Sequence, residues 1–294
     1  MDFKKFIQSQ GLSDHPIGLS GCRTGDNFFD SCDYDVIVFD NADIHNKIIS
    51  FEDDLITLYH ASLSEINTKK LLQYDNLKIL QDDSWNLKIF LSKISQKRNL
   101  LYSDSAKNSL IESIFCCQKT KDAVLSGDVF AACWQKCASY YLADAITSLN
   151  HSSSSPSHMI DSLRNFEKNS INNHISIVLE TIGIERATPT LLKRMLKSTV
   201  GFSDLIEANN HSELIQKKYD YFLNNSMLSD CYFYLGYINK ENFIHIKDEL
   251  NRRSDLIHLL KIAFDIESDS NLLLQQAETI QTSCNDILEI TSSS

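Results

Sequence analysis

Residues 19–39 read LSGCRTGDNFFDSCDYDVIVF, and this stretch decides the fold of the N-terminal part of the chain. Gly21 follows a short apolar segment, and Asp33 and Asp35 lead into residues 35–39, which are rich in β-branched side chains. Runs of this kind are typical of buried strands. The stretch therefore predicts a strand, a glycine turn, and a second strand that begins with two carboxylates.

Each part of this stretch has a chemical interpretation. Gly21 lets the backbone turn tightly and approach a ligand closely. A helix that begins near Cys22 or Arg23 offers free N–H groups to a phosphate, and Arg23 adds a positive charge. Asp33 and Asp35 are two positions apart on an extended segment, so both carboxylates point to one face. Two carboxylates beside a phosphate-binding turn can hold Mg²⁺ against a nucleoside triphosphate.

At these residues the chain resembles the nucleotidyltransferase superfamily of the DNA polymerase β type, which includes the minimal and the antibiotic nucleotidyltransferases. Gly21 and Cys22 take the positions of the family's Gly-Ser pair, and Asp33 and Asp35 those of its two metal-binding aspartates. The resemblance covers about the first third of the chain. It implies that Asp33 and Asp35 hold two Mg²⁺ ions, and that Gly21, Cys22 and Arg23 bind the phosphates of a nucleoside triphosphate such as ATP. The implied reaction transfers a nucleotidyl group to a small-molecule or protein hydroxyl.

Two departures from the family pattern bear on activity. The serine of the motif is Cys22 here, and a thiol is a weak hydrogen-bond donor. The family's third carboxylate lies on a neighbouring strand, and the best register match, residues 56–58, has Thr57 at that position. Asp54 begins this strand and is our candidate for the third catalytic acid, with Asp82 or no acid as alternatives. These departures favour an alternative function, a catalytically degenerate relative that binds a nucleotide or a partner protein.

The rest of the chain predicts an α+β protein with a large helical region. Residues 47–51 and 55–60 resemble a hairpin, residues 76–80 a further strand, and helical periodicity begins near residue 84. The chain has only 8 glycines and 3 prolines in 294 residues, which excludes turn-rich all-β folds. We therefore expect a nucleotidyltransferase-like domain with a small mixed sheet over residues 1–100. An all-α region follows over residues 101–294, with a candidate subdivision near 151–158.

The charge balance limits the kinds of molecule that the chain is expected to bind. The chain has 28 basic and 39 acidic residues and a formal net charge of −11. Binding to long nucleic acids needs clustered Lys and Arg, so a long nucleic-acid acceptor is not expected. No apolar run approaches the length of a membrane span. The sequence gives no basis for predicting an oligomeric state.

The eight cysteines contain no CxxC pair, which favours a reduced, cytoplasmic protein. Cys116, Cys117, Cys133 and Cys137 could together bind zinc, but their helical context favours core packing. A helix N-terminus can lower the pKa of the Cys22 thiol, yet nucleophilic catalysis is the weaker interpretation. His151 and His158 flank the serine-rich loop, and we expect both to be solvated.

Overall fold

The structure is a computed structural model that describes residues 1–153, 155–206, 211–250, 254–266 and 269–292. One sheet lies in the N-terminal part, and helices form most of the remainder. The described strands are β1 Ile17–Ser20, β2 Tyr34–Val38, β3 Lys47–Phe51, β4 Asp54–His60 and β5 Lys78–Gln81.

The five-stranded sheet is mixed, with the order β3-β4-β2-β1-β5. β2 is parallel to β4, whereas the β3–β4, β1–β2 and β1–β5 pairs are antiparallel. Alternate residues of β2 face opposite sides of the sheet. Val36 and Val38 pack with Phe6 on one side, and Ile37 packs with Leu72 on the other. Both faces of the sheet are therefore covered, which fixes the register of β2 and with it the face to which Asp35 points.

The helices begin with α1 before the sheet and continue with α2 between β4 and β5. From α3 onward the described regular structure consists of helices and short 3₁₀ turns. Their bounds are α1 Phe3–Ser9, α2 Thr68–Gln73, α3 Asn86–Gln96, α4 Arg98–Ser126, α5 Ala131–Leu149, α6 Met159–Asn165, α7 Ile175–Ile182, α8 Pro189–Ile206, α9 His211–Asn224, α10 Leu228–Leu250, α11 Ser254–Ala263 and α12 Ser270–Ser292.

α5 is the centre of the helical region, because it is buried along nearly its whole length. Cys116, Cys117, Cys133 and Cys137 are all buried in the surrounding apolar core, which confirms the interpretation that they are core residues. Gly127 ends α4 in a left-handed conformation (φ 70°), and α5 follows after a short turn.

The α+β architecture predicted from the sequence is confirmed, and so is the succession of a small mixed sheet and a large helical region. The predicted division at residue 100 falls within α4, which starts at Arg98. The suggested subdivision at 151–158 coincides with the connection between α5 and α6. Among the described residues, none of the helices combines the length and the apolar character needed to cross a membrane.

Candidate functional site

The glycine turn follows β1 directly. Gly21 has φ +73°, in the left-handed region that favours glycine, and a Cβ at this position would collide with the carboxylate of Asp35. The 3₁₀ turn Cys22–Thr24 follows. The turn therefore packs so closely against the Asp35 carboxylate that position 21 accommodates only glycine.

Thr57 lies beside the two aspartates. Asp35 on β2 and Thr57 on β4 are directly paired in the parallel register. The Thr57 hydroxyl donates a hydrogen bond to Oδ2 of Asp33 at 2.5 Å. Tyr59, two residues further along β4, hydrogen-bonds the Asp35 carboxylate. Thr57, which the family resemblance put at the position of the third carboxylate, therefore faces the two aspartates in the structure.

Lys218 on α9 forms an ion pair with Asp33, with 3.0 Å between Nζ and Oδ1. Both residues are buried. Burial alone would lower the pKa of Lys218, but the Asp33 carboxylate outweighs it and raises that pKa above its usual value. Burial would likewise raise the pKa of Asp33, yet Lys218 and the Thr57 hydrogen bond hold it below its usual value. Asp33 and Lys218 are therefore both charged at neutral pH.

Asp35 differs from Asp33. Desolvation by the surrounding protein, followed by repulsion from the Asp33 carboxylate, raises the pKa of Asp35 to about 8. Two carboxylates this close cannot both ionise easily without a further cation. At neutral pH the site therefore holds one carboxylate, one carboxylic acid and one ammonium group.

A cavity of about 730 Å³ connects this site with the helical region. The sheet, helices α2, α4, α5, α9 and α10 and the serine-rich connection after α5 contribute to its wall. Residues that carry polar or charged groups on this wall include Ser20, Cys22, Asp33, Asp35, Tyr59, Lys69, Gln73, Ser105, Asn108, Ser109, Glu112, Tyr141, Asp144, Lys218, Tyr237 and Glu241. Gly21 lies on the same wall, so four of the predicted site residues, Gly21, Cys22, Asp33 and Asp35, share one cavity.

The structure does not bring Asp54 to this cavity wall. Asp54 is three positions before Thr57 on β4, so the two side chains point to opposite faces of the sheet. The Asp54 carboxylate lies 3.9 Å from the N-terminal ammonium group instead. Asp82, the other candidate for a third acid, accepts a hydrogen bond from the backbone of Lys88 at 2.9 Å and also lies off the wall.

Arg23 is also directed away from the cavity wall. Its guanidinium donates hydrogen bonds to the backbone carbonyls of Cys32 at 2.9 Å and Asp30 at 3.2 Å. It also lies over the rings of Phe28 and Tyr34. Arg23 therefore holds the loop between the turn and β2 in place.

His158 is close to two cysteines, so the expectation that it is solvated was wrong. It is only 9% exposed, and its Nε2 lies 3.1 Å from Sγ of Cys32. A hydrogen bond from Cys22, together with His158, lowers the pKa of Cys32 to about 5 despite the opposing effect of burial. The same contact with Cys32 raises the pKa of Cys22.

Lys218 was not among the site residues predicted from the sequence. A signal was present: Leu214, Ile215, Lys218 and Phe222 share the buried face of α9. A lysine on an apolar helical stripe needs a buried partner, because an unpaired buried charge is costly. The sequence does not show which carboxylate that partner is.

No protein-family model matches this chain, and no curated protein matches it. Among solved structures, the chain is similar to a nucleotidyltransferase-like protein from Exiguobacterium sibiricum 255-15. The two are 13% identical, with a TM-score of 0.34, over 87% of this chain and 89% of that chain. A likeness at this level shows nothing about the function of this chain.

Proposed function

We propose that the cavity binds a nucleoside triphosphate together with Mg²⁺, and that the chain transfers a nucleotidyl group to a small-molecule or protein hydroxyl. The observation that carries the proposal is the shared cavity wall of Gly21, Cys22, Asp33 and Asp35. Its volume of about 730 Å³ lies within the range of small-molecule sites.

The side chains present are compatible with one Mg²⁺ ion. Mg²⁺ is usually held by one or two carboxylates, several waters and substrate phosphates, and Asp33 and Asp35 supply two carboxylates. The raised pKa of Asp35 supports this, since two crowded carboxylates lack a second counter-charge. A second ion fits less well, because Thr57 replaces the third carboxylate and Lys218 already pairs with Asp33.

Lys218 supplies a positive charge next to Asp33, where a second metal ion would otherwise be expected. Its ammonium group lies on the cavity wall and hydrogen-bonds Asp33. Charge that develops on a transferring phosphoryl group is stabilised by Lys, Arg or Mg²⁺ in many sites. In this proposal Mg²⁺ supplies Lewis-acid stabilisation of the triphosphate, and Lys218 orients Asp33 and adds positive charge beside it.

The glycine turn, Thr57 and the polar part of the cavity wall also have roles in this proposal. We assign contacts with the phosphates to the backbone amides of Cys22 and Arg23, because the first N–H groups of a helical turn are free to bind anions, whereas those of Thr24 and Gly25 donate within the turn. Thr57 cannot take the proton of an acceptor hydroxyl as a carboxylate does. A positioned general base contributes roughly 10²–10⁴-fold in rate, so we expect slow turnover. The wall formed by Asn108, Glu112 and Asp144 is polar and suits a polar acceptor.

A second candidate function is nucleotide binding without catalysis. It is favoured by Asp33, whose two carboxylate oxygens already accept from Thr57 and Lys218 without any metal. The two candidates differ in one measurable respect. Both predict that a nucleoside triphosphate binds, but only the first predicts Mg²⁺-dependent release of pyrophosphate.

The test combines binding and turnover. Isothermal titration with ATP, GTP, CTP and UTP, each with and without Mg²⁺, measures affinity and base preference. Release of pyrophosphate is then followed for the nucleotide that binds best, in the presence of small molecules and proteins that carry hydroxyl groups, because the nucleotidyl group needs an acceptor. Pyrophosphate release that depends on Asp35 supports transfer, binding without release supports the second candidate, and absence of binding by all four nucleotides contradicts both.

A further inference from the structure

Three side chains that can ligate a soft metal ion converge beside the cavity. One sulfur atom from each of Cys22 and Cys32 and one ring nitrogen of His158 all lie within 4.8 Å of one another. The contact between Nε2 of His158 and Sγ of Cys32 is 3.1 Å. This set uses none of the groups assigned to nucleotide binding except Cys22, whose role there is carried by its backbone.

These three side chains are held by their surroundings. The ring of Phe29 stacks on His158 with 3.9 Å between centroids. The backbone N–H of Cys32 donates to the carbonyl of Phe29 at 2.9 Å, and Arg23 donates to the carbonyl of Cys32 at 2.9 Å. The loop that carries Cys32 is therefore fixed both to the 3₁₀ turn and to the ring of His158. Preorganised ligands of this kind lower the cost of binding a metal.

The geometry is close to that of a tetrahedral zinc site. With Zn–S distances of about 2.3 Å, two thiolate ligands of a tetrahedral ion are roughly 3.8 Å apart. The separations within the cluster are short enough for small side-chain rotations to reach this value. Two sulfurs and one imidazole select Zn²⁺ over Mg²⁺, which prefers oxygen ligands.

We propose that Cys22, Cys32 and His158 bind one Zn²⁺ ion, with water at the fourth position. Sites with three protein ligands and one exchangeable ligand are the open type of zinc site. Cys22 lies on the cavity wall and is only partly buried, so water can reach the cluster from the cavity. Binding releases the thiol protons, because zinc is held by thiolates.

The ion would join parts of the chain that are far apart in sequence. Cys22 and Cys32 lie near the two ends of the loop between β1 and β2, and His158 directly precedes α6. Zinc would therefore link the glycine turn to the helical region. A metal that binds only the folded state also stabilises it.

The test titrates Zn²⁺ alone into the full-length protein, prepared with a reductant and freed of metal by a chelator that is then removed. We expect one zinc per chain after gel filtration, measured by elemental analysis. Co²⁺ in place of Zn²⁺ should give the thiolate-to-cobalt charge-transfer absorption. Cys22→Ser, Cys32→Ser and His158→Gln should each weaken zinc binding by more than about 100-fold, since even the loss of a residue that hydrogen-bonds a metal ligand costs about 10–100-fold.

Two control variants match these changes. Cys284→Ser alters a buried cysteine that contacts Ser113, and His151→Gln alters an exposed histidine at the other end of the serine-rich connection. Both should keep one zinc. The proposal is overturned by a stoichiometry well below one, by unchanged affinity in the three ligand variants, or by a cobalt spectrum without the thiolate band. The cobalt spectrum of the unsubstituted protein decides the matter even if a variant fails to fold.

The outcome is independent of the proposed function. Loss of zinc binding with intact ATP binding removes only the zinc site. Zinc binding in a protein that binds no nucleotide removes only the proposed function.

Discussion

The ammonium nitrogen of Lys218 lies 3.0 Å from a carboxylate oxygen of Asp33, although Asp33 precedes β2 and Lys218 lies on α9. The pair connects the sheet with the helical region at the cavity wall. Both groups are buried, so each depends on the other for its charge to be tolerated. The site is therefore assembled only when the two parts of the chain are packed together.

Replacing Lys218 should destabilise the protein through Asp33. Lys218→Met keeps most of the side-chain volume but leaves the Asp33 carboxylate without its cation, so we expect a loss of about 3–5 kcal/mol in the free energy of unfolding. Urea denaturation measures this change. Lys217→Met, on the same helix but partly exposed, is the control and should change stability by less than about 1 kcal/mol. Equal effects of the two substitutions would contradict a structural role for the ion pair.

The glycine turn should tolerate no side chain at Gly21. Gly21→Ala forces a Cβ against the Asp35 carboxylate at φ +73°, so we expect a loss of about 1–3 kcal/mol in unfolding free energy and loss of nucleotide binding. Gly25→Ala is the matched control, because its Cβ would lie no nearer than 3.9 Å to another atom, the Cys22 carbonyl oxygen. Thermal unfolding and ATP titration should separate the two variants. An unaffected Gly21→Ala would contradict the close packing of the turn on Asp35.

Stability should fall with rising pH because of Asp35. Its pKa is about 8 in the folded protein and 3.8 in the absence of perturbation, so between these values only the folded state keeps the proton. The contribution of Asp35 to the free energy of unfolding is complete below about pH 4 and is lost as the pH rises to about 8. This loss is at most about 1.4 kcal/mol per pH unit. Asp35→Asn should lack this loss. Urea denaturation at pH 6 and pH 8.5 compares the two proteins, and parallel changes in both would show that Asp35 is not the group responsible.

The hydroxyl of Thr57 should stabilise the charge on Asp33. Thr57→Val keeps the shape of the side chain but removes the donor, and hydrogen bonds to charged groups contribute about 1.5–3 kcal/mol. Thr57→Ser keeps the hydroxyl and should lose less. Chemical denaturation at pH 7 ranks the variants, and a Thr57→Val protein as stable as Thr57→Ser would argue against this hydrogen bond.

The strands could be predicted from the sequence because local patterns determine them. The β-branched residues after Asp35 were predicted to form a strand, and they lie on β2. The hairpin predicted around Asp53 is the antiparallel pair of β3 and β4. The resemblance to the nucleotidyltransferase superfamily placed Thr57 beside the aspartates, and the parallel register pairs Thr57 with Asp35.

The contacts between distant segments could not be predicted in this way. Lys218 and His158 reach the site only through the packing of α9 and the segment before α6, and one sequence alone does not encode which helix face meets which strand. For the same reason Asp54 was chosen as the third acid from its position in a hairpin. Its side chain points to the other face of the sheet and pairs with the N-terminus.

The most direct test of the central claim is isothermal titration of ATP with and without Mg²⁺ into the unsubstituted protein, Asp35→Asn and Asp54→Asn. We expect Mg²⁺ to strengthen ATP binding by at least about tenfold, equivalent to 1.4 kcal/mol. This gain should disappear in Asp35→Asn and persist in Asp54→Asn, whose carboxylate lies off the cavity wall. ATP binding that does not respond to Mg²⁺, or that responds equally in Asp35→Asn, would contradict a metal–nucleotide site at Asp33 and Asp35.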